Sequence, residues 1–194
     1  MSRDKILQRL KKNAPASGSL PVYAAKTDLL SKELLLSSFK ENLAVSGGKW
    51  IELDRREDIS SAISENYPMV ADVTKQDVWE EYSPSCSKEK LASLDTLMIE
   101  GQVGVAENGA IWLDESNFPN RLSPFIAKNL IIVLDIARIT NNMHEAYQQI
   151  KMEDTGFGVF ISGPSKTADI EQSLVYGAHG PVSLLVVLIR MTSL

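Results

Sequence analysis

Apolar residues occur along this chain in two patterns, the period of an amphipathic helix and the short unbroken run of a buried strand. The first pattern predicts helices over about residues 3–12, 28–45, 56–65, 143–150 and 167–176. The second predicts strands over residues 50–53, 69–71, 130–134, 158–161 and 184–189. Residues 77–93 show neither pattern clearly, and we expect a loop with some helix there. Helices and strands that alternate in this way are typical of βαβ architecture.

A β-hairpin is predicted in the middle of the chain. Val103 and Val105 alternate with smaller residues, Ile111 and Leu113 alternate again, and Asn108-Gly109 stands between the two runs. Asparagine and glycine both tolerate the positive φ angles of a tight hairpin turn. Continuous apolar strands are typical of a parallel sheet that is buried on both faces. We therefore expect an α/β fold with a central mixed or mainly parallel sheet of about five to seven strands, helices on both faces and the hairpin at one side.

The first helix is separated from the rest of the chain by small residues and proline. Residues 13–21 read Asn-Ala-Pro-Ala-Ser-Gly-Ser-Leu-Pro, which is typical of a linker. We expect residues 1–26 to form this helix and linker, and residues 27–194 to form one α/β domain. A chain of 194 residues is long enough for one hydrophobic core but short for two. The first helix would then dock loosely or pack on another subunit, and the second option is compatible with a homodimer.

Charge and hydropathy exclude several classes of partner. The net charge is −5, with 44% hydrophobic and 23% charged residues. Such a chain has no basic excess with which to neutralise the phosphates of nucleic acid or of an anionic membrane. The longest apolar run, Leu184–Ile189, is far shorter than a membrane span, and the N-terminus lacks the apolar region of a signal peptide. We expect a soluble cytoplasmic protein that binds neither nucleic acid nor membrane.

Cysteine and histidine are too scarce for a usual metal or redox site. Cys86 is the single cysteine, and the two histidines are His144 and His179. One thiol forms no internal disulfide and cannot supply the several thiolates of an iron–sulfur cluster. Two histidines at unrelated positions do not form a usual metal cage. We therefore expect no metal and no redox cofactor in this chain.

The segment Ser162–Pro181 is the strongest candidate for chemistry. A predicted strand ends at Ile161, Gly163-Pro164 would form a turn, and a helix is predicted to begin near Thr167. The free N–H groups and positive dipole end of a first helical turn bind anions, and ligand crevices of α/β sheets lie at strand carboxyl ends. The candidate ligand-binding residues are Ser162, Gly163, Ser165, Lys166, Thr167 and Asp169. The alternative is ordinary helix capping.

Three further side chains could take part in chemistry. His179, held between glycines and Pro181, suits a ligand contact or proton transfer, although a turn histidine bonded to a carbonyl is the simpler interpretation. Glu107 could act as a general base or as a nucleophile toward an activated acyl group, or be a solvated hairpin charge. Arg121 could clamp a carboxylate or form a surface salt bridge.

Taken together, these candidates give one specific hypothesis about the site. We predict that the side chains of one group converge on a single pocket that binds a small anion: Glu107, Ser165, Lys166, Thr167 and His179. His179 can reach that pocket only if the chain folds back, because about ten helical residues would span ~15 Å.

Two blocks of sequence resemble the LUD-domain family, the lactate-utilisation protein C proteins. Gly104–Leu113 is similar to the family's Ala-Glu-Thr-Gly-Thr hairpin. Ser162–Glu171, followed by Gly177–Pro181, resembles the family's most distinctive signature. The resemblance covers about residues 95–189, with the blocks in the same order and at compatible spacing.

This chain departs from the family pattern at three positions. Asn108 and Ala110 stand where the family usually or often has threonine. Asn129 occupies the place of a histidine that is common before the strand over residues 130–134. If that histidine takes part in chemistry, this chain lacks it.

The resemblance implies a fold like that of the sugar-phosphate isomerase and CoA-transferase superfamily. It also implies a role in the oxidation of L-lactate to pyruvate alongside separate iron–sulfur partner proteins, and the single Cys86 agrees with a cluster on a partner. Two hypotheses remain open. The chain is either a non-redox subunit that binds lactate, pyruvate or a related carboxylate, or an enzyme acting on an anionic substrate such as a sugar phosphate, folate or CoA ester. Fold analogy alone supports the second.

Overall fold

The computed structural model describes residues 3–14, 31–150, 156–168 and 174–190. The α-helices in these ranges are α1 Arg3–Asn13, α2 Lys32–Val45, α3 Ile59–Ile63, α4 Gln76–Glu81, α5 Lys88–Ala92, α6 Ser123–Ile126 and α7 Met143–Gln149. The strands are β1 Lys49–Leu53, β2 Val70–Asp72, β3 Thr96–Glu100, β4 Val103–Val105, β5 Ala110–Asp114, β6 Asn129–Asp135, β7 Ile139–Thr140, β8 Gly158–Ile161, β9 Lys166–Ala168, β10 Leu174–Tyr176 and β11 Ser183–Ile189. Short 3₁₀ turns cover Arg56–Asp58 and Ile136–Arg138.

The central sheet has five strands in the order β1-β11-β6-β3-β2, and all neighbouring pairs are parallel. β6 and β11 lie in its interior, and nearly all of their residues are buried. Strands covered on both faces need apolar side chains at every position, which explains their unbroken apolar sequences. The predicted α/β fold with a mainly parallel central sheet flanked by helices is confirmed.

A second, four-stranded sheet has the order β7-β4-β5-β8. β4 and β5 form the predicted antiparallel hairpin, and Gly109 in its turn has a φ of 66°. β8 adds antiparallel to β5, while β7 pairs parallel to β4. The sequence predicted the hairpin but not the second sheet that is built on it.

The core consists of layers on either side of the central sheet. Alternate side chains of a strand point to opposite faces. On one face Ile132 packs in a cluster with Phe39 of α2 and Ile111 of β5. On the other face Ile131 packs in a cluster with Ile59 and Ile63 of α3. α7 covers the outer face of the second sheet, where Ala146 packs in a cluster with Val103, Val105 and Trp112.

The helix predicted over residues 167–176 is wrong. β9 and β10 pair antiparallel with Thr167 opposite Val175, so both ends of the predicted helix are extended. The amide of Ser165 donates to the carbonyl of Pro181 at 2.8 Å, and the amide of Gly177 donates to the carbonyl of Ser165 at 3.0 Å. These long-range backbone bonds outweigh the local helix signal. Asp169 lies outside the described residues.

The N-terminal part departs little from expectation where the structure describes it. α1 has no buried residues, and its apolar side chains Ile6, Leu7 and Leu10 are exposed. α2 begins after Ser31, whose hydroxyl accepts a hydrogen bond from the amide of Leu34. The start expected for this helix near residue 28 and the boundary expected between residues 26 and 27 lie outside the described residues. Within the described ranges, no helix has the length and apolar character needed to cross a membrane.

Candidate functional site

Three loops that contain most of the candidate residues meet where α2 ends. They are the hairpin turn over residues 106–109, the segment over residues 162–167 and the loop over residues 177–181, and we call them together the loop cluster. The end of α2, residues 42–47, supports it from one side.

The hairpin turn is fixed directly to α2. The side-chain amide of Asn42 donates a hydrogen bond to the carbonyl of Ala106 at 2.8 Å. A Cβ atom on Gly109 would lie only 2.4 Å from the backbone nitrogen of Leu43. Glycine is therefore required at position 109 both by its positive φ and by the close approach of two backbones.

Ser162 joins this turn to the segment that follows β8. Its hydroxyl donates to the carbonyl of Asn108 at 2.8 Å and lies 3.0 Å from the hydroxyl of Ser46. A Cβ atom on Gly163 would lie 2.3 Å from the carbonyl oxygen of Ser46. The hydroxyl of Ser162 therefore joins two loops and α2.

The loop over residues 177–181 folds back onto Ser165. Besides the backbone bonds of Ser165 to Pro181 and Gly177, a Cβ atom on Gly180 would lie 3.1 Å from Cβ of Ser165. The chain thus folds back through the antiparallel strands β9 and β10. The exposed His179 directly precedes Gly180 in the sequence. These contacts join Ser165 to the loop that contains His179, and the convergence of the predicted group of side chains on one pocket stays a prediction.

Lys166 is exposed and lies across the end of α2. A Cβ atom on Gly47 would be 2.9 Å from both Cε and Nζ of Lys166. Its ammonium group lies 5.9 Å from the ring centroid of Tyr176, and no carboxylate of the described residues lies within ion-pair distance of it. A cation at a helix C-terminus is favourable in itself, so Lys166 also stabilises this end of α2.

Glu107 contacts the beginning of α7. Its Oε1 atom accepts a hydrogen bond from the amide of Met143 at 2.8 Å. The side chain of Asn142 caps the same helix by accepting from the amide of Glu145 at 3.0 Å. The carboxylate of Glu107 is exposed but held in place, and neither sequence interpretation included this capping contact.

Arg121 lies elsewhere. Its Nε and Nη2 atoms donate to Oε2 of Glu115 at 3.0 and 2.6 Å, and Oε1 of Glu115 accepts from the amide of Gly156 at 2.8 Å. This network precedes β8, whereas Ser162 follows it, and four strand residues span about 13 Å. The structure therefore shows the salt bridge and does not bring Arg121 to the loop cluster.

The loop cluster lies at the amino edge of the central sheet. Residues 46–48 directly precede β1, and Val182 directly precedes β11. The segment that begins at Ser162 does follow the carboxyl end of β8, but β8 belongs to the second sheet. The segment therefore lies at the carboxyl end of its own strand, as expected, but not at the carboxyl edge of the parallel sheet, where α/β sheets usually bind their ligands.

Sequence reasoning missed the contribution of α2. Asn42, Ser46 and Gly47 all contact the loop cluster, yet none of them is among the candidates from sequence. The available signal was the pair Gly47-Gly48, because two glycines exceed what one helix end requires.

Comparison with known proteins identifies the family of this chain. The family model described as LUD domain matches residues 7–189. The chain belongs to the LUD domain family.

Two curated proteins are similar to parts of this LUD domain. An uncharacterized protein of Neisseria meningitidis serogroup B is 35% identical over 104 residues, which is 52% of this chain and 45% of that protein. Lactate utilization protein C of Shouchella clausii is 32% identical over 111 residues, which is 54% of this chain and 48% of that protein. The match thus spans about half the length of these two relatives.

A solved structure has the same fold. The crystal structure of a DUF162 family protein from Deinococcus radiodurans superposes with a TM-score of 0.63, over 82% of this chain and 99% of that one. The sequence identity is 18%, so this likeness concerns the fold alone.

The side chains of Asn108 and Asn129 have structural roles in this LUD domain. The side-chain oxygen of Asn108 accepts a hydrogen bond from the amide of Ala110 at 3.0 Å, within the hairpin turn. Asn129 begins β6. Its Oδ1 atom accepts a hydrogen bond from the hydroxyl of Ser183 at 2.7 Å, and its side-chain Nδ2 atom lies 3.4 Å from the hydroxyl of Thr96. Asn129 therefore links β3, β6 and β11 at the amino edge.

The described part of the LUD domain contains no group of three or more His, Cys, Asp or Glu side chains that could hold a metal ion. Cys86 is a half-buried free thiol after α4.

Proposed function

We propose that this LUD domain is a non-redox component of a lactate-utilisation system and binds a small anionic ligand at the loop cluster. Family membership and the 32% identity to a lactate utilization protein C support the first part. The match covers 48% of that relative. A shared activity with the whole relative is therefore part of the proposal.

One observation supports the ligand site most directly. The return of residues 177–181 onto Ser165 brings the loop that contains His179 to the residue next to Lys166, and both side chains are exposed. Lys166 has no described carboxylate within ion-pair distance, so its charge is available to a ligand. Ammonium and imidazole N–H groups form strong, charge-assisted hydrogen bonds to carboxylates and phosphates.

The proposed ligand is lactate, pyruvate or a related carboxylate, and the electrons would be handled by partner proteins. The full chain contains one cysteine, which is fewer than the thiolates that an iron–sulfur cluster requires. Iron–sulfur proteins of a lactate-oxidation system are therefore the proposed partners. The LUD domain would position the small acid or transfer it to these partners rather than oxidise it alone.

Isothermal titration calorimetry tests the ligand site. L-Lactate, pyruvate and phosphate are titrated into the native chain and into a Lys166→Ala, Thr167→Ala double variant. We expect one of the carboxylates to bind the native chain and to bind the double variant at least tenfold more weakly. Lys88→Ala, an exposed lysine of α5, is the matched control and should bind like the native chain. Equal binding by native chain and double variant would show that the loop cluster is not the site.

A growth experiment tests the biological role separately. Deletion of the gene should prevent growth on L-lactate as the only carbon source, and the native gene should restore it. Normal growth of the deletion strain on L-lactate would contradict the proposed role. Turnover of a sugar phosphate, folate or CoA ester by the isolated chain would instead support the enzyme hypothesis.

A further inference from the structure

A cavity lies at the edge of the central sheet opposite to the loop cluster. It has a volume of about 450 Å³ and lies between the first half of α2 and the 3₁₀ turn that follows β6. Its lining includes Lys32, Leu36, Asp135, Ile139 and Arg190. We call it the edge crevice. None of the candidate residues from the sequence lines it.

The edge crevice is separate from the loop cluster. Lys32 and Leu36 are in the first two turns of α2, whereas the loop cluster contacts the last turn. A helix of 14 residues is about 20 Å long, so the two sites lie at opposite ends of α2. Asp135 ends β6 and Arg190 follows β11, which places the crevice at the carboxyl edge. Open α/β sheets bind their ligands at this edge.

The floor of the edge crevice is apolar. Leu36 and Ile139 are buried there, and Leu35 and Ile136 are partly buried against the same core cluster. An apolar floor in a cavity of this volume is typical of sites for organic molecules. Lactate, with three carbons, would leave most of such a cavity unfilled, so the geometry favours a ligand with a larger apolar body.

The rim of the edge crevice contains both cations and carboxylates. Lys32 and Arg190 are both exposed, and neither forms an ion pair within 4.0 Å in the described part of the chain. Asp135 accepts a hydrogen bond from the amide of Ala137 at 2.9 Å. Hydrogen bonds with its own backbone amide and with Ser31 lower the pKa of Glu33, and the nearby charges of Arg190 and Lys32 lower it further.

Lys40 is a third cation in the lining of the edge crevice. Its ammonium group is bonded to Glu52 and lies 4.4 Å from the ring centroid of Trp50. Burial and the nearby charge of Arg190 together lower the pKa of Lys40. A bound anion would offset the repulsion between Lys40 and Arg190.

We propose that the edge crevice binds an amphipathic carboxylate, with its carboxylate group at Lys32 and Arg190 and its apolar body against Leu36 and Ile139. This site is additional to the small-anion site at the loop cluster and does not depend on it. Arginine pairs with a carboxylate through two parallel hydrogen bonds, which suits Arg190 for the charged end of the ligand.

Calorimetry with octanoate tests the proposal. Acetate has the carboxylate without the chain, and 1-octanol has the chain without the charge. We expect octanoate to bind, and acetate and 1-octanol to bind at least tenfold more weakly, because each lacks one half of the contacts. No octanoate binding, or equal binding of 1-octanol and octanoate, would overturn the proposal.

Variants then assign the binding to the edge crevice. Arg190→Ala should weaken octanoate binding about tenfold, and Ala137→Trp, at an exposed position of the lining, should block it. Circular dichroism verifies that both variants fold. The Lys166→Ala, Thr167→Ala double variant and Lys88→Ala should bind octanoate like the native chain. Unchanged binding in Arg190→Ala and Ala137→Trp, or loss of binding in the double variant, would place octanoate elsewhere and refute the assignment.

Discussion

At the scale of single residues, Gly163 is where the loop cluster comes closest to α2. Its φ is 80°, and a Cβ atom there would lie 2.3 Å from the carbonyl oxygen of Ser46, a backbone atom that cannot turn away. We predict that Gly163→Ala lowers the free energy of unfolding by about 1–3 kcal/mol, because both the φ angle and the contact are unfavourable for alanine. Urea denaturation followed by circular dichroism measures this loss.

Gly180→Ala is the matched control for Gly163→Ala. Gly180 belongs to the same loop cluster but has no positive φ, and the nearest atom to its Cβ position is the side chain of Ser165 at 3.1 Å. The control should therefore lose less stability. Equal losses in the two variants would contradict the role given to the Ser46 contact.

Glu115 is the residue for which the structure predicts a pH effect. The hydrogen bond from the amide of Gly156, followed by that from Arg121, lowers the pKa of its carboxyl group. A carboxyl group whose pKa is lower in the folded than in the unfolded chain stabilises the fold. This stability is fully present above the unfolded pKa, about 4.3, and is lost as the pH falls through the folded pKa. Native chain should therefore be more stable than Glu115→Gln near neutral pH, and this advantage should shrink in acid.

Thermal unfolding of the native chain and Glu115→Gln between roughly pH 3 and pH 7 measures the effect. Glu65→Gln, which removes an exposed glutamate at another position, serves as the control. An advantage of the native chain that stays constant down to the lowest pH would contradict the lowered pKa.

The residues of the candidate site were partly predictable from sequence. The hydroxyls and Lys166 after β8 were found because residue types that bind anions cluster within a few positions. The contact of Ser162 with Ser46 spans 116 residues, and that with Asn108 spans 54. No local pattern encodes such contacts, so the part played by the end of α2 became visible only in the structure.

At the scale of elements, the β9–β10 hairpin has the least support. It forms a two-stranded sheet of its own, and Val175 and Tyr176 are exposed on it. Two-stranded hairpins are marginally stable in water, and regions with few buried contacts open locally. We predict that amides of β9 and β10 exchange hydrogen much faster than those of β6 and β11.

Hydrogen exchange measured by mass spectrometry compares these strands directly. β4 is the appropriate control, since it is as short as β9 but its three residues are buried. Fast exchange in β4 would mean that strand length decides the rate. Slow exchange in β9 would mean that another surface covers the hairpin in solution.

The elements differ in how well the sequence specifies them. The β4–β5 hairpin was predicted because its turn signal is local, with glycine at the position of positive φ. β3 was missed because only Leu97, Met98 and Ile99 form its apolar run, too short to distinguish from other structures. The helix predicted over residues 167–176 failed because pairing between distant backbone groups determines that segment.

At the scale of the whole molecule, α2 links the two sheets and the two proposed sites. Phe39, in its middle, is fully buried in the cluster shared by Ile132 of the central sheet and Ile111 of the second sheet. Its first turns line the edge crevice, and its last turn supports the loop cluster. The molecule therefore has one main core, and we expect its two sheets to unfold together.

Phe39→Ala tests this cooperativity. Truncation of a fully buried phenylalanine costs about 3–5 kcal/mol, whereas Leu34→Ala, on the same helix with Leu34 56% exposed, should cost little. In a Trp50→Phe, Trp79→Phe background, the fluorescence of Trp112 reports on the second sheet, and far-ultraviolet circular dichroism reports on the whole chain. Phe39→Ala should shift both urea transitions to the same lower midpoint. Because Phe39 contacts the core that both sheets share, a shift in only one of the two signals would mean that the sheets unfold independently.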